Sequence, residues 1–128
     1  MLDKARVAAA IPVQDIERAK SFYADKLGLK PTIEDPAGCM YESEGGRFGL
    51  FPSMGKASGD HTQLMFEVAD IEAAVKQLRG NGVVFEEYDM PGFKSVDGIV
   101  DMGPGGRGAW FKDSEGNVLG LGEWTPEA

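Results

Sequence analysis

The sequence predicts an α+β protein made of two βαβββ modules in tandem. Three observations predict it. The first is an internal repeat: Val13, Asp15, Ile16, Glu17 and Ala19 recur as Val68, Asp70, Ile71, Glu72 and Ala74, at a constant offset of 55 residues from Asp15 to Asp70. The second is that in each copy a short apolar run leads into that Asp, and the Asp opens an amphipathic stretch. The third is that the rest of each copy breaks into short apolar runs separated by Gly, Pro and Asn, the punctuation of strands and turns. A unit of this size cannot bury its own apolar face. Two copies are therefore expected to share one core and to leave a pseudo-symmetric surface between them. The boundaries read as one domain over 1–128, with module one at about 5–52, a linker at about 53–60 and module two at about 61–124.

Each element has a local reason. Residues 6–13 read as the first strand. Asp15 caps the helix that follows, placing a carboxylate at the positive end of the helix dipole. That helix is expected over 16–27, because Ile16, Ala19, Phe22, Tyr23 and Leu27 recur at three- and four-residue spacing and make one apolar face. Gly28 is its stop signal. Strands are expected at 29–34, 38–43 and 47–52, with turns at Asp35-Pro36 and Glu44-Gly45-Gly46. The segment 52–59 has no periodicity and reads as the linker. Module two repeats the order: a strand at 61–68, a helix at about 71–79 on the stripe Ile71, Ala74, Val75 and Leu78, and a stop at Asn81-Gly82. Strands are then expected at 83–88, 107–112 and 117–122. The Gly- and Pro-rich segment from Met90 to Gly106 reads as a long loop, a length that often carries function.

Composition limits what the chain does. Its 128 residues and 42% apolar content suit one globular domain with a real core. No apolar run approaches the roughly 18 residues of a membrane span, and Met1-Leu2-Asp3-Lys4 begins no signal peptide. The expected compartment is the cytoplasm, with no membrane partner. Cys39 is the one cysteine, so it has no partner for an intrachain disulfide. A formal charge of −8 argues against nucleic acid, whose binding needs clustered Lys and Arg.

Three stretches together resemble a known superfamily. They are Ile11-Pro-Val-Gln-Asp-Ile-Glu-Arg-Ala-Lys-Ser-Phe-Tyr23 followed by Leu27-Gly-Leu29, the second copy from Val68, and the ending Phe111-Lys-Asp-Ser-Glu-Gly-Asn117. The pattern resembles the vicinal oxygen chelate proteins: glyoxalase I, bleomycin-resistance proteins and extradiol dioxygenases. The resemblance covers about residues 5–124. It implies a fold in which two βαβββ modules form a cupped mixed sheet around a cleft. It does not fix an activity, because function lives in the site and not in the fold. It also implies where metal ligands would stand in a metal enzyme of this kind. One lies seven residues before the Asp that opens each helix, and another lies on the last strand of a module. Those positions are Ala8, Gln63, Gly120 and, in the first module, Gly49 or Leu50. Only Gln63 offers a donor, whereas a catalytic metal needs about three protein ligands. No metal or other cofactor is therefore expected. A substitute row of His61, Gln63 and Glu67 on one strand face is too long for one ion, since same-face neighbours stand about 6.5–7 Å apart.

Without a metal, strand alternation gives the cleft its lining. Ala8, Ala10 and Pro12 are expected to face it from the first strand, with Ala9, Ile11 and Val13 against the helix. Gln63, Met65 and Glu67 are expected to face it from the fifth strand, Cys39 and Tyr41 from module one and Trp110 from module two. Phe93 and Met102, in the long loop, would close over an apolar ligand. Such a lining, apolar with a few polar groups, suits a small-molecule site. Glu67 is a candidate general base or cation partner, and its bland alternative is an ion pair with a neighbour such as Arg6. Cys39 is a weak nucleophile candidate, since the lone His61 lies in the other module. The run Gly103 to Gly108 leads into a strand, not the helix N-terminus that a phosphate loop needs.

Three functions remain open. One is a metal-free protein of the bleomycin-resistance kind, binding a small organic ligand of aromatic or cationic character. The second is a metal-dependent lyase or isomerase resembling glyoxalase I, or a dioxygenase relative. The third is a cofactorless enzyme with Glu67 as base. The resemblance further implies a homodimer whose clefts lie at subunit contacts.

Overall fold

The computed structural model describes residues 1–124. Module one runs β1 (Ala9–Val13), α1 (Ile16–Leu27), β2 (Ile33–Asp35), β3 (Gly38–Ser43) and β4 (Gly46–Pro52). Module two begins with β5 (Thr62–Glu67) and α2 (Ile71–Gly80). It continues through three short strands, β6 (Asp89–Met90), β7 (Phe93–Val96) and β8 (Ile99–Asp101). It ends on β9 (Arg107–Lys112) and β10 (Val118–Glu123). Two mixed sheets result. Their orders are β1-β4-β3-β2 and β5-β10-β9-β8-β7-β6. In each, the first strand of the module runs parallel to the last, β1 beside β4 and β5 beside β10. Among the described residues no helix is long and apolar enough to cross a membrane.

The helices form where the repeat places them and for the same reason twice. The Asp15 carboxylate accepts from the Arg18 amide at 3.0 Å, and Asp70 accepts from the Ala73 amide at 3.1 Å. Each thus satisfies an amide that a helix start leaves bare. Gly28 ends α1 in the left-handed region at φ 70°, with its N–H donating to the Ala24 carbonyl and the Leu29 N–H donating to the Tyr23 carbonyl.

One segment departs from expectation. Residues 83–88 do not form a strand; only Phe85 makes an isolated bridge, to Phe111. The strands lie further on, in what reads as a loop from Met90 to Gly106. Asp97 and Gly98 both have positive φ, 52° and 82°, and join β7 to β8. This is the two-residue Asp-Gly turn whose twist matches a hairpin. The turn chemistry outweighs the Gly and Pro content around it, and the sheet gains three strands.

Both helices and the inner faces of both sheets share one core. Ile11, Tyr23, Tyr41, Leu50, Ile71, Phe111 and Leu119 are buried in it together, and Phe48 of module one meets Phe66 of module two edge to face at 6.1 Å. The turn before β10 bolts the modules together. Glu115 accepts from the Gln14 and Asp15 amides, both at 3.0 Å, and from Arg18 Nε at 2.7 Å. Asp113 is buried and accepts from the Tyr23 hydroxyl at 2.7 Å. With the inner faces joined in this way, the outer face of each sheet stays open, and those faces carry the candidate site.

Candidate functional site on the open sheet faces

Register decides which residues reach the first open face. Ala10 pairs with Gly49, Gly49 with Met40, and Met40 with Ile33. This row, with Ala8 and Phe51, lines a shallow cavity of about 410 Å³. The next row along, Ile11, Leu50 and Cys39, points the other way and is buried. So does the row of Phe48 and Tyr41. Cys39 and Tyr41 were expected to face the cleft; Tyr41 turns into the core instead, and Cys39, though buried, still borders the first cavity from beneath. Tyr41 stacks on Phe48 at 4.8 Å and lies 5.6 Å from Tyr23 of α1. The physical reason is that a one-residue change of register moves every side chain to the opposite face; Met40 stands where Cys39 and Tyr41 were expected. Burial pushes the Cys39 thiol up, away from the thiolate a nucleophile needs. The expected orientations of Ala10, Pro12, Ile11 and Val13 on β1 agree with their burial.

The second open face is built on glycines. Trp110 pairs with Gly120, and Gly120 with Met65; Gly108 pairs with Gly122, and Gly122 with Glu67. A Cβ on Gly120 would stand 2.9 Å from Trp110 Nε1 and would also strike the Met65 sulfur. A Cβ on Gly108 would stand 2.6 Å from Trp110 Cη2 and 3.2 Å from Met102 Cε. A Cβ on Gly122 would stand 2.6 Å from Trp124 Cη2. The missing side chains are thus what lets both indoles lie down on the sheet. The inward neighbours Leu119 and Leu121 are buried in the core, so β10 is leucine on one face and glycine on the other. Phe93 stands 5.5 Å and Tyr88 5.8 Å from Trp110, and 5.2 Å from each other. His61, Thr62, Tyr88, Phe93, Trp110 and Lys112 border a cavity of about 500 Å³ at this end of the face.

The structure therefore brings Met65, Phe93, Met102 and Trp110 together, with Glu67 on the same strand face as Met65. Gln63 falls at the register shift between Thr62 and Leu64, where β5 skips a partner on β10 and strict alternation breaks. Phe93 belongs to a strand and not to a mobile cover. The expected alternative pairing of Glu67 with Arg6 is not formed: Arg6 reaches Glu42 instead, at 3.7 Å. His61 makes a 3.2 Å contact with Ser58 through Nδ1. Trp124 went unnoticed in the sequence. The signal was present, because Gly120, Gly122 and Trp124 alternate with Leu119, Leu121 and Glu123 and so share the open face.

The residues do not fit a metal of the kind the resemblance implies. Ala8 and Gly49 lie over the first open face, and Gly120 sits on the second beside Met65. Leu50, the other first-module position, is buried in the core. Gln63 brings one neutral amide. Among the described residues no three His, Cys, Asp or Glu side chains come together to hold an ion.

The family model for the Glyoxalase/Bleomycin resistance protein/Dioxygenase superfamily matches residues 6–121. The chain belongs to this superfamily. Among solved structures, TnmS3, an antibiotic binding protein from Streptomyces sp. CB03234, aligns with a TM-score of 0.73 at 23% identity, over 98% of this chain and 99% of that one. A glyoxalase/bleomycin resistance protein from the same strain aligns at 0.66 and 24%, over 92% and 99%. A lactoylglutathione lyase from Agrobacterium tumefaciens aligns at 0.65 and 19%, over 94% and 93%. At these identities the likenesses show the fold. No curated protein matches the chain. Superfamily members of such different names share this scaffold, so the side chains on the open faces must decide what this member does.

Proposed function

We propose that this superfamily member is a small-molecule-binding protein that holds an apolar or aromatic ligand against the glycine-floored tryptophan face, without a metal. One observation carries the reading. At the positions where the family's metal enzymes would present ligands, this chain has Ala8, Gln63, Gly49 and Gly120, and on the second face the space is given over to Trp110, Met65 and Phe93. Glycines spent on seating an indole make a binding surface and no Lewis acid. The antibiotic-binding name of one structural neighbour supports the same reading.

The binding unit in this proposal is a homodimer in the cytoplasm. The first face is floored by small residues, Ala8, Ala10 and Gly49, while the second is crowned by Trp110, Trp124, Met65 and Met102. A second copy would lay its crowned face over the first copy's floor and receive the reverse, closing two equal clefts. The two enzyme readings find less support. The lyase lacks ligands for its metal. A Glu67 base has no neighbouring side chain that orients it, since none of the hydrogen bonds or ion pairs among the described residues involves its carboxylate.

Metal analysis tests the reading directly. The protein, purified without chelators and equilibrated with zinc, nickel, manganese or ferrous iron, is expected to retain far less than one ion per chain. Small aromatic compounds are expected to raise its melting temperature, and Trp110→Ala is expected to abolish that rise. Near-stoichiometric metal that brings lyase or dioxygenase turnover would overturn the proposal.

A further inference from the structure

We infer that the second open face reads a positive charge on its ligand, with Glu67 and the Trp124 indole forming one cation-recognition subsite. The inference rests on the small-molecule-binding reading above and names the class of ligand.

The two groups are adjacent by construction. Glu67 ends β5 and pairs across the sheet with Gly122. Neighbouring strands stand about 4.8 Å apart. The six-membered ring of Trp124 lies over that same glycine, its Cη2 and Cζ3 atoms 2.6 and 2.8 Å from where a Cβ would be. Met65 closes the side, with its methyl 3.2 Å from the same point. Trp124 is 48% exposed, so its free ring face is open to a ligand.

Charge points the same way. Arg6 is engaged with Glu42, and Lys112 lies toward Glu86, 3.9 Å away, at the opposite end of the face beside Val118. No cation among the described residues lies within ion-pair distance of Glu67. An uncommitted carboxylate beside an exposed indole is the pairing that suits an organic ammonium or iminium group: the ring quadrupole and the carboxylate attract the same charge, and the apolar surround strips water from it. A neutral apolar ligand would need the indole but not Glu67. The carboxylate is what makes the subsite selective.

The test compares N-methylquinolinium, a permanent cation, with quinoline, its neutral counterpart near neutral pH. Binding is measured by calorimetry and by the indole N–H signals. The chain has two tryptophans, so a Trp124→Leu variant assigns both signals. The cation is expected to bind about ten-fold more tightly or better, to move the Trp124 signal, and to weaken as salt rises. Glu67→Gln alters an exposed residue and is expected to fold normally, bind quinoline as before and lose the cation preference. Equal affinity for the two compounds overturns the inference while leaving aromatic binding intact. A preference that persists in Glu67→Gln overturns the assignment to this carboxylate. No signal change with either compound overturns the inference together with the reading beneath it.

Discussion

Glu115 is charged, buried and committed on every side. Its side chain is 1% exposed, yet it accepts from two backbone amides, from Arg18 and from the Ser114 hydroxyl at 2.8 Å. The Arg18 guanidinium and these donors hold its carboxyl at about 2, against an ordinary value near 4.5. The folded state therefore binds this proton less tightly than the unfolded chain does. The resulting stability is fully present above pH 4.5 and fades as pH falls toward 2. Because Arg18 is half in water, the contribution is on the order of 2 kcal/mol and not the full value of the shift. Glu115→Gln is thus expected to lower stability by about 2 kcal/mol near neutral pH, with the deficit shrinking below pH 4.5. Urea unfolding at several pH values checks this; a deficit that stays constant down to pH 2 would show that the charge is not what matters. None of this was legible locally. Asp113-Ser-Glu-Gly-Asn117 reads as a turn, and the partners of Glu115 lie about a hundred residues earlier in the chain. The same limit hid the true orientation of Tyr41, which depends on the register between β3 and β4.

At the scale of elements the sequence was legible wherever the signal was local. The helix expected over 16–27 is Ile16–Leu27, because its apolar face lies within it and its cap Asp15 and stop Gly28 directly flank it. The strands at 38–43 and 107–112 fall where alternation put them. Residues 83–88 carry apolar content without a turn signal to pair them, and they form no strand beyond the Phe85 bridge. Ser95-Val-Asp-Gly-Ile-Val100 carries an Asp-Gly turn between β-branched residues, and that signal outranks a stray apolar run. Asp97 is the one non-glycine residue with positive φ among the described residues, and its carbonyl accepts from Arg79 Nη2 at 3.0 Å. A β-branched side chain there would strain the turn, because the left-handed region crowds Cβ against the backbone. Asp97→Val is expected to cost about 1–2 kcal/mol, and Asp97→Gly close to nothing. Thermal unfolding gives the totals. Hydrogen exchange should place the loss in β7 and β8 for Asp97→Val, and equal effects of the two substitutions would count against the turn geometry.

The whole molecule presents two unlike open faces, and that asymmetry bears on how it assembles. On the first, Ile33 is 58% and Phe51 39% exposed; on the second, Met65 is 38% and Trp124 48% exposed. Exposed apolar surface gathered on a sheet face marks an interaction site. The first face is floored by alanines and a glycine that leave room above them, and the second carries indoles and thioethers that could fill such room. In the proposed dimer each face would meet the other, and a two-fold axis would satisfy both matches at once and close the assembly at two chains. Size-exclusion with light scattering is therefore expected to give twice the 13.7 kDa of one chain. Ala10 is exposed on the floor, so Ala10→Arg should leave the fold of the single chain unharmed while forcing a guanidinium into the apolar joint. It is expected to raise the dimer dissociation constant by ten-fold or more, since an unpaired charge at a desolvated contact costs about 2 kcal/mol or above. The same substitution should weaken quinoline binding in parallel, because a cleft closed by two chains loses its roof when they part. A protein that stays a single chain at high concentration, or a dimer that Ala10→Arg leaves untouched, would mean that the ligand meets the Trp110 face unaided and that the first face serves some other contact.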